Sequence, residues 1–366
     1  MTRLSRLLAY SVVWWLGACA HIQGDLRYIG TPQTVIEYPP PPNPARYRYV
    51  GELRGEPNFA RQGGRGWSVQ RVLAWLVGLG KGRQQLLQRP QSGWVDQRGR
   101  IFVTDSAAHV VWVFDPAEGQ LEQWQTAGDG GSLITPVGIV GDNRGHIWVA
   151  DADQGQVSVL SEDGKPLGVV GRGALQRPTG VALDPRDGRL FVADSQAHQI
   201  LIFDARGVQI AATGQRGVGP GQFNGPTHLA FAHDRLHVVD TLNSRVQILD
   251  RDGAFQHQFG RRGLYVGDLP RPKGVSVDSD GNVYVVESYY DYLLVYNAQG
   301  RPLLPIGGTG TGVGQFYLPT GVWTDSRDHI YVADMFNRRI VVLRYLRSSD
   351  DRQNARQGQQ SHSVGP

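Results

Sequence analysis

The sequence predicts an all-β protein in which one small antiparallel sheet is repeated six times. A proline opens each copy, and the prolines recur at intervals of 42 to 48 residues, at Pro90, Pro136, Pro178, Pro226, Pro272 and Pro319. Runs of β-branched and aromatic residues follow each proline, with turn residues between the runs. Glycine contributes 48 of 366 residues and is spread along the chain, which is about twice its usual share of roughly 7% and indicates many tight turns.

The last copy, Pro319 to Leu343, shows the unit most clearly and reads PTGVWTDSRDHIYVADMFNRRIVVL. Its three apolar runs contain Val322 and Trp323, then Ile330 to Ala333, then Ile340 to Leu343. Asp, Asn, Ser and Arg fill the two gaps, as in a strand meander. A fourth, more variable run and a Gly-rich loop connect each earlier copy to the next proline.

Four short strands repeated every 40–50 residues are typical of a β-propeller. Each blade has two apolar faces that only neighbouring blades can cover, so the ring must close. The sixth copy ends after its third strand, at Leu343. Arg46 to Leu53, RYRYVGEL, alternates like a strand but belongs to no copy. We therefore expect this N-terminal strand to supply the fourth strand of blade six and to latch a ring of six blades.

The pattern P-x-G-V…D…G-x-[IV]-[YFW]-V-A-D…N-x-R-[IV] resembles the NHL repeat, and its best copies are Pro319 to Leu343 and Pro178 to Phe203. The resemblance covers residues 46–346 and implies an NHL-like six-bladed β-propeller. It says little about function, because the family includes peptide-processing lyases, sensor ectodomains of bacterial kinases, and protein- or RNA-binding scaffolds.

The first residues predict export. Arg3 and Arg6 precede a short apolar run, and residues 1–18 form a predicted signal peptide that is too short to span a membrane. Leu16-Gly17-Ala18-Cys19 resembles the bacterial lipobox, which implies cleavage before Cys19 and lipid attachment to its sulfur and nitrogen. The alternative is an ordinary signal peptide with a chance cysteine.

Two further observations concern cellular address and partners. Ala20 stands where inner-membrane lipoproteins usually carry Asp, so the resemblance implies the outer membrane, at its periplasmic face or at the cell surface. Loss of residues 1–18 removes Arg3 and Arg6 and no acid, so the formal charge falls from +4 to +2. This small charge on an exported chain predicts no nucleic-acid partner.

Three segments lie outside the repeats. Residues 19–45 are predicted to comprise the lipidated cysteine and a Pro-rich tether. The tether is predicted because a run of four prolines at 39–42 favours an extended spacer. Residues 61–89 predict a helical insertion with an apolar stripe at Val69, Val72, Leu73, Leu76 and Val77. That helix would either cap the body or dock on a membrane surface or partner. Residues 347–366 are polar and are predicted to be disordered.

An acid follows the second strand of every copy: Asp105, Asp151, Asp194, Asp240, Glu287 and Asp334. A ring of metal ligands is one interpretation. We favour a structural role, in which each carboxylate accepts backbone N–H groups and pairs with an arginine such as Arg245 or Arg338. A second acid marks the first turn, at Asp96, Asp142, Asp184, Asp278 and Asp325, and is likewise a predicted turn residue.

Departures from the repeat indicate where ligands bind. The second residue after each proline is expected near the central channel, and it reads Ser92, Gly138, Gly180, His228, Gly274 and Gly321. NHL-type amidating lyases hold zinc with three histidines around this face. The single matching histidine argues against such a site, because catalytic zinc needs about three protein ligands. The alternative for His228 is a hydrogen-bonded channel residue.

Blade five departs most strongly from the repeat, since its loop reads Glu287-Ser288-Tyr289-Tyr290-Asp291-Tyr292. Tyrosine supplies apolar area and a hydroxyl group at low entropic cost. The predicted binding site therefore comprises His228, Glu287, Tyr289, Tyr290, Asp291 and Tyr292. The alternative is a varied loop that packs on itself.

These features predict a lipid-anchored envelope propeller that binds a protein or peptide partner, with the membrane contacted through Cys19. No catalytic residue, metal ligand or cofactor is predicted, because the sequence has no Ser-His-Asp arrangement and no phosphate-binding loop followed by a helix. The alternative is a metal-dependent lyase or lactonase whose site lies in the central channel.

Overall fold

A computed structural model of the chain describes residues 25–32, 35–59, 84–142 and 144–347. The predicted signal peptide, Cys19 and the polar tail from residue 348 lie outside these residues. So does most of the predicted helical segment, of which only residues 84–89 are described. Nowhere in the described ranges is a helix long and apolar enough to cross a membrane.

The described residues form six antiparallel sheets, five of which consist of four strands that are consecutive in the chain. Blade 1 contains β3 Pro90–Val95, β4 Ile101–Asp105, β5 Val110–Asp115 and β6 Gln120–Trp124. Blade 2 contains β7 Pro136–Gly141, β8 His146–Asp151, β9 Gln156–Ser161 and β10 Pro166–Val170. Blade 3 contains β11 Pro178–Leu183, β12 Leu190–Asp194, β13 Gln199–Phe203 and β14 Gln209–Thr213.

The remaining three sheets include the sheet built from both parts of the chain. Blade 4 contains β15 Pro226–Ala232, β16 Arg235–Asp240, β17 Arg245–Leu249 and β18 Phe255–Phe259. Blade 5 contains β19 Pro272–Val277, β20 Val283–Glu287, β21 Tyr292–Tyr296 and β22 Pro302–Gly307. Blade 6 contains β23 Pro319–Thr324, β24 His329–Asp334, β25 Arg339–Tyr345, β2 Tyr47–Leu53 and β1 Glu37–Tyr38. Short 3-10 turns span Glu56–Asn58 and Thr241–Asn243.

The ring closes as the repeats predict. Strand β2 pairs antiparallel with β25, from Tyr47 opposite Tyr345 to Leu53 opposite Ile340. Blade 6 then meets blade 1, where the Thr320 hydroxyl group donates to the Pro90 carbonyl at 3.1 Å. The all-β six-bladed fold and the N-terminal strand that completes the last blade are confirmed.

The segment before β2 lies on the body over its described residues, where the sequence predicts an extended spacer. Strand β1 adds a fifth strand to blade 6, and Leu26 and Ile29 form isolated bridges with Phe59 and Glu52. Ile36 and Tyr38 pack against the apolar cluster between blades 5 and 6. These apolar side chains explain the difference, because a solvated tether would leave them in water.

Apolar contacts between neighbouring blades hold the ring together. The buried residues of the described chain fall into six clusters, each shared by two adjacent blades. The cluster between blades 6 and 1 joins Leu53 and Ile340 to Ile101 and Val110. No blade can therefore bury its faces without both neighbours.

The innermost strands approach each other closely enough to require glycine. A Cβ atom on Gly180 would lie 2.5 Å from the Thr227 carbonyl oxygen, and one on Gly321 would lie 2.2 Å from that of Gln91. The glycines predicted at the channel position are thus a packing requirement, and His228 is the one large residue in that series.

Candidate functional site

The channel has two faces, which the topology defines. The upper face carries the first residues of the innermost strands, the loops that enter each blade and the loops between the second and third strands. The lower face carries the turns between strands one and two and between strands three and four. His228 and the Tyr289–Tyr290 loop both belong to the upper face, on adjacent blades 4 and 5.

The six acids that follow the second strands are structural. Each is at most 1% exposed. Asp151 accepts the N–H groups of Ile134 at 2.7 Å and Thr135 at 2.9 Å, and the other five carboxylates accept N–H groups of the entering loop in the same way. The acids of the first turn also accept backbone N–H groups, as Asp142 does from His146 at 2.8 Å. Both structural interpretations are confirmed.

One of the two predicted arginine partners is wrong. Arg245 pairs with Asp240 at 2.9 Å, as expected. Asp334 pairs instead with the buried Arg339, at 2.7 Å. Arg338 is exposed and has a φ of 54°, so it turns the loop while its neighbour enters the blade. Arg339 also reaches Glu52 of the N-terminal strand at 2.5 Å.

His228 lies in the wall of the central channel and is 8% exposed. With Ser92, Gly138 and Gly180 it lines a cavity of about 370 Å³. Burial and, after it, the nearby charge of Lys273 lower the pKa of the imidazole to about 4. Backbone groups of Lys273 and Gln91 lie close enough to the ring to oppose this fall in pKa, but neither ring nitrogen makes a well-formed hydrogen bond with a described residue. The site therefore presents a neutral imidazole whose hydrogen-bonding capacity is only partly used within the protein.

The blade-five loop has an exposed side and a buried side. Tyr289 is 64% exposed and Tyr290 is half-buried, with the two rings at 86° and their centroids 4.8 Å apart. Glu287 is buried and accepts the N–H groups of Arg271 at 2.9 Å and Tyr290 at 2.8 Å. Its burial raises its carboxyl pKa above the usual value. Glu287 thus supports the loop from below.

The other two predicted residues of this loop are also engaged within the body. Asp291 is 4% exposed and accepts the Leu318 N–H at 2.8 Å and the Thr309 hydroxyl at 2.7 Å. Tyr292 packs against the cluster between blades 4 and 5. Among the predicted loop residues, the exposed surface is therefore formed by Tyr289 and Tyr290. That they bind a partner stays a prediction.

The upper face contains further candidate binding residues that the sequence analysis did not identify. Lys273 lies between His228 and the tyrosine loop, since it follows Pro272, which pairs with Glu287. Leu242 and Phe336 are exposed at the same loop position as Tyr289. The sequence feature that could have identified Leu242 and Phe336 is the second residue after each structural acid. That position holds Ala107, Asp153, Gln196, Leu242, Tyr289 and Phe336.

The described residues do not fit a metal centre of the three-ligand kind. Within them, no group of three or more His, Cys, Asp or Glu side chains is arranged to hold an ion. His228 has the cationic Lys273 as its nearest charged influence, which opposes a metal cation.

The fold and its repeats define a six-bladed β-propeller of the NHL-like class. Residues 91–192 match the family described as the SMP-30/Gluconolactonase/LRE-like region. The chain is 35% identical over 179 residues to peptidyl-glycine alpha-amidating monooxygenase B of Xenopus laevis, a match that covers 43% of this chain and 20% of that protein. It is 34% identical over 85 residues to human NHL-repeat-containing protein 4, covering 23% of this chain and 64% of that protein.

A solved structure shows the same architecture. An auxiliary nutrient binding protein from Bacteroides thetaiotaomicron superposes with a TM-score of 0.57 at 13% identity, covering 71% of this chain and 69% of that one. At this identity the similarity concerns the fold alone. The chain also spans only about a fifth of the Xenopus protein. The protein is thus a six-bladed β-propeller that is similar to NHL-repeat proteins over part of its length.

Proposed function

We propose that this protein is a binding module of the bacterial envelope that holds a protein or peptide partner on its upper face. Its core site is His228 together with Tyr289 and Tyr290, and the lipid at Cys19 attaches it to the outer membrane. The observation that carries this proposal is the His228 ring, which is buried in the channel wall and makes no well-formed hydrogen bond with a described residue, with only backbone groups of Lys273 and Gln91 near it. A buried polar group without a partner costs about 1–3 kcal/mol, and a bound ligand would recover that cost.

The neighbourhood of the ring suits a polypeptide. Tyr289 offers an exposed aromatic surface beside the channel mouth, and tyrosine is enriched where proteins bind one another. Lys273 lies between the ring and the tyrosines and supplies a cation. The cavity that His228 lines extends towards the lower-face turns at Asp142 and Asp184. In this proposal a peptide side chain approaches the ring from the upper face, past Lys273, while its neighbours contact Tyr289.

Cross-linking in intact cells tests this proposal. A photoreactive amino acid replaces Tyr289, and the matched control carries it at Val208, which is 55% exposed on the lower face. We expect a cross-linked envelope protein at Tyr289 that is absent at Val208 and is lost when His228→Ala or Tyr290→Ala is added. The proposal fails if cross-links are equal at the two positions or survive both substitutions.

A metal-dependent lyase or lactonase is the second candidate. It is favoured by the family match over residues 91–192 and by the channel cavity of about 370 Å³. Metal analysis of the purified protein separates the two candidates. A stoichiometric, tightly held zinc or calcium ion would support the enzyme and count against the binding module.

A further inference from the structure

Exposed apolar side chains are more numerous on the upper face of blades 4 to 6 than on that of blades 1 to 3, where Leu86 and Ile134 are 40% and 44% exposed. Leu242, Leu264, Tyr265, Tyr289, Tyr317 and Phe336 all lie on loops that enter or belong to blades 4, 5 and 6, and we call this set the apolar half-ring. Four of these six side chains are more than 60% exposed, up to 83% for Leu264. Tyr317 and Phe336 form an edge-to-face pair with centroids 5.4 Å apart. Several exposed apolar side chains on neighbouring loops mark an interaction site more often than single scattered residues do.

Blades 1 to 3 provide an internal comparison. Where blades 4 to 6 present Leu242, Tyr289 and Phe336, the same loop position holds Ala107, Asp153 and Gln196. Asp153 and Asp129 are partly exposed there, and each is paired with an arginine, Arg177 or Arg172. The repeat itself therefore does not demand large apolar residues at this position.

The apolar half-ring also carries unbalanced positive charge. Arg216, Arg262, Arg271 and Arg338 are exposed on the same loops, Lys273 is half-buried at the channel mouth, and none of the five has an ion pair with another described residue. The acids of these loops are at most 6% exposed, and their carboxylates accept hydrogen bonds within the protein: Asp240, Asp268, Glu287, Asp291 and Asp334. Over its described residues, this half of the face thus has exposed cations and no exposed carboxylate.

We propose that the apolar half-ring binds an acidic polypeptide segment with interspersed aromatic or aliphatic side chains, and that one of its carboxylates enters the channel mouth at Lys273. This inference rests on the proposed function and names the chemistry of its partner. Charge of opposite sign would steer the segment and fix its register, while the apolar side chains would supply most of the affinity.

Lys273 favours a polypeptide over an anionic lipid surface. A flat bilayer would contact the loop tips at Leu264 and Tyr265, whereas Lys273 is recessed between the loops. Burial and the nearby charge of Arg271 lower the pKa of its ammonium group. A carboxylate on a flexible side chain can reach this position and offset both effects.

The chain's own segment between the described residues 59 and 84 is a poor complement. It contains Arg61, Arg65, Arg71, Lys81 and Arg83 and no acid, so it would add like charge to a cationic surface. Residues 348–366 contain Asp350 and Asp351 but also Arg352 and Arg356, so their acids are balanced. The partner that the charges favour is therefore another polypeptide.

The test uses the full-length chain in detergent micelles and a fluorescein-labelled synthetic peptide of about twelve residues that alternates Glu with Leu and Tyr. The same peptide with Gln in place of Glu is the reference. Fluorescence anisotropy should give a Kd at least about tenfold lower for the Glu peptide, which corresponds to about 1.4 kcal/mol. The difference should shrink as NaCl rises from about 0.05 M to about 0.5 M, because salt screens exposed charges.

Two pairs of variants locate the site. Arg216→Glu with Arg262→Glu should remove the preference for the Glu peptide, and Leu242→Ser with Phe336→Ser should weaken both peptides about tenfold. The matched controls are Arg235→Glu on the lower face and Gln196→Ser at the same loop position of blade 3, and both should bind as the native chain does. Unchanged thermal unfolding verifies that every variant is folded.

Three outcomes would overturn the inference. The first is equal binding of the Glu and Gln peptides. The second is displacement of the Glu peptide when phosphatidylglycerol is added to the micelles, which would make anionic lipid the occupant. The third is self-association of the chain in sedimentation that the Leu242→Ser/Phe336→Ser variant abolishes, which would make a second copy the occupant.

The proposed function fails separately from this inference. A Tyr289 cross-link that depends on His228, found together with equal peptide affinities, would keep the binding module and exclude an acidic partner. Selective binding of the Glu peptide without any such cross-link in cells would keep the chemistry of the surface and exclude the envelope partner.

Discussion

Replacement of Arg339 by methionine tests the closure of the ring most directly. The Arg339 side chain is 1% exposed and pairs with Asp334 of its own blade at 2.7 Å and with Glu52 of the N-terminal strand at 2.5 Å. It also donates to the backbone carbonyls of Gly312 at 3.0 Å and Gln315 at 2.8 Å. One guanidinium group therefore connects β25, β2 and the loop that enters blade 6.

The expected loss can be worked out from these contacts. Methionine keeps the length of the side chain but leaves the buried Asp334 without its cation, and leaves Glu52 with Arg54 alone, at 2.7 Å. Removal of one partner of a buried ion pair costs about 3–5 kcal/mol, and each buried carbonyl without a donor adds about 1 kcal/mol unless water replaces it. We expect Arg339→Met to lower the free energy of unfolding by at least about 4 kcal/mol at neutral pH.

The pH dependence follows from the carboxylates. Burial raises the pKa of Asp334 and Arg339 opposes that rise, so the substitution moves the folded-state pKa further above its unfolded value. A carboxyl group with a raised folded-state pKa contributes stability that is present at low pH and is lost as the pH rises through that pKa. The deficit of the variant should therefore be larger at pH 7.5 than at pH 5.5.

Urea unfolding followed by tryptophan fluorescence measures these differences, since the chain has 9 tryptophans. Arg245→Met is the matched control, because Arg245 occupies the same place in blade 4 but pairs with one carboxylate, Asp240. Its loss should be smaller. Adding Glu52→Gln to Arg339→Met should restore part of the stability. A loss below about 1 kcal/mol, or a larger deficit at pH 5.5 than at pH 7.5, would refute the reasoning.

Three other predictions concern the channel, its histidine and the anchor. Gly321→Ala should cost about 1–3 kcal/mol, because its Cβ would lie 2.2 Å from the Gln91 carbonyl oxygen; calorimetry should show little change for Gly131→Ala, which meets only the Asp129 side chain. The pKa of His228 is lowered to about 4 in the folded protein. The neutral ring therefore contributes stability that is fully present above the unfolded-state pKa of about 6.5 and is lost as the pH falls towards 4. Urea titrations at pH 7 and pH 4.5 measure this loss of unfolding free energy, and His228→Gln should make it smaller by up to about 3 kcal/mol. An unchanged pH profile in the variant would contradict the burial of a neutral ring. Cys19→Ser should move the chain from the membrane fraction to the soluble fraction and abolish labelling by radioactive palmitate; retention in the membrane would exclude the lipid anchor.

The repeat made the fold predictable from the sequence. Each proline, each acid and each apolar run occupies the same place in every blade, so the copies reinforce one another. The unpaired third strand at Leu343 and the alternating run at Arg46 to Leu53 then identified the closing pair. The pairing of these two strands follows from one blade lacking a strand and one strand lacking a blade, more than from local β propensity.

The binding site was harder to predict because acidic residues in the blade-five loop could either contact a ligand or hold the loop in place. Glu287 is the fifth of the six structural acids, so it binds backbone N–H groups as Asp334 does. Asp291 supports the loop that enters blade 6, a contact between segments that a linear pattern does not reveal. The proline run at 39–42 favoured an extended spacer, whereas Ile36 and Tyr38 beside it already carried the apolar surface that binds the body.

The order of synthesis gives the closing strand pair a further consequence. Glu52 and Arg339 are separated by 287 positions, so β2 emerges early and its partner β25 only near the end of translation. Until then the blade-1 side chains that pack on β25, such as Ile101 and Val110, remain in water, and contacts this distant in sequence form late in folding. A chain that stops short of β25 cannot complete the ring and stays open to proteases. The fold thereby acts as a check on length, in which only molecules that have been synthesised through residue 345 become resistant.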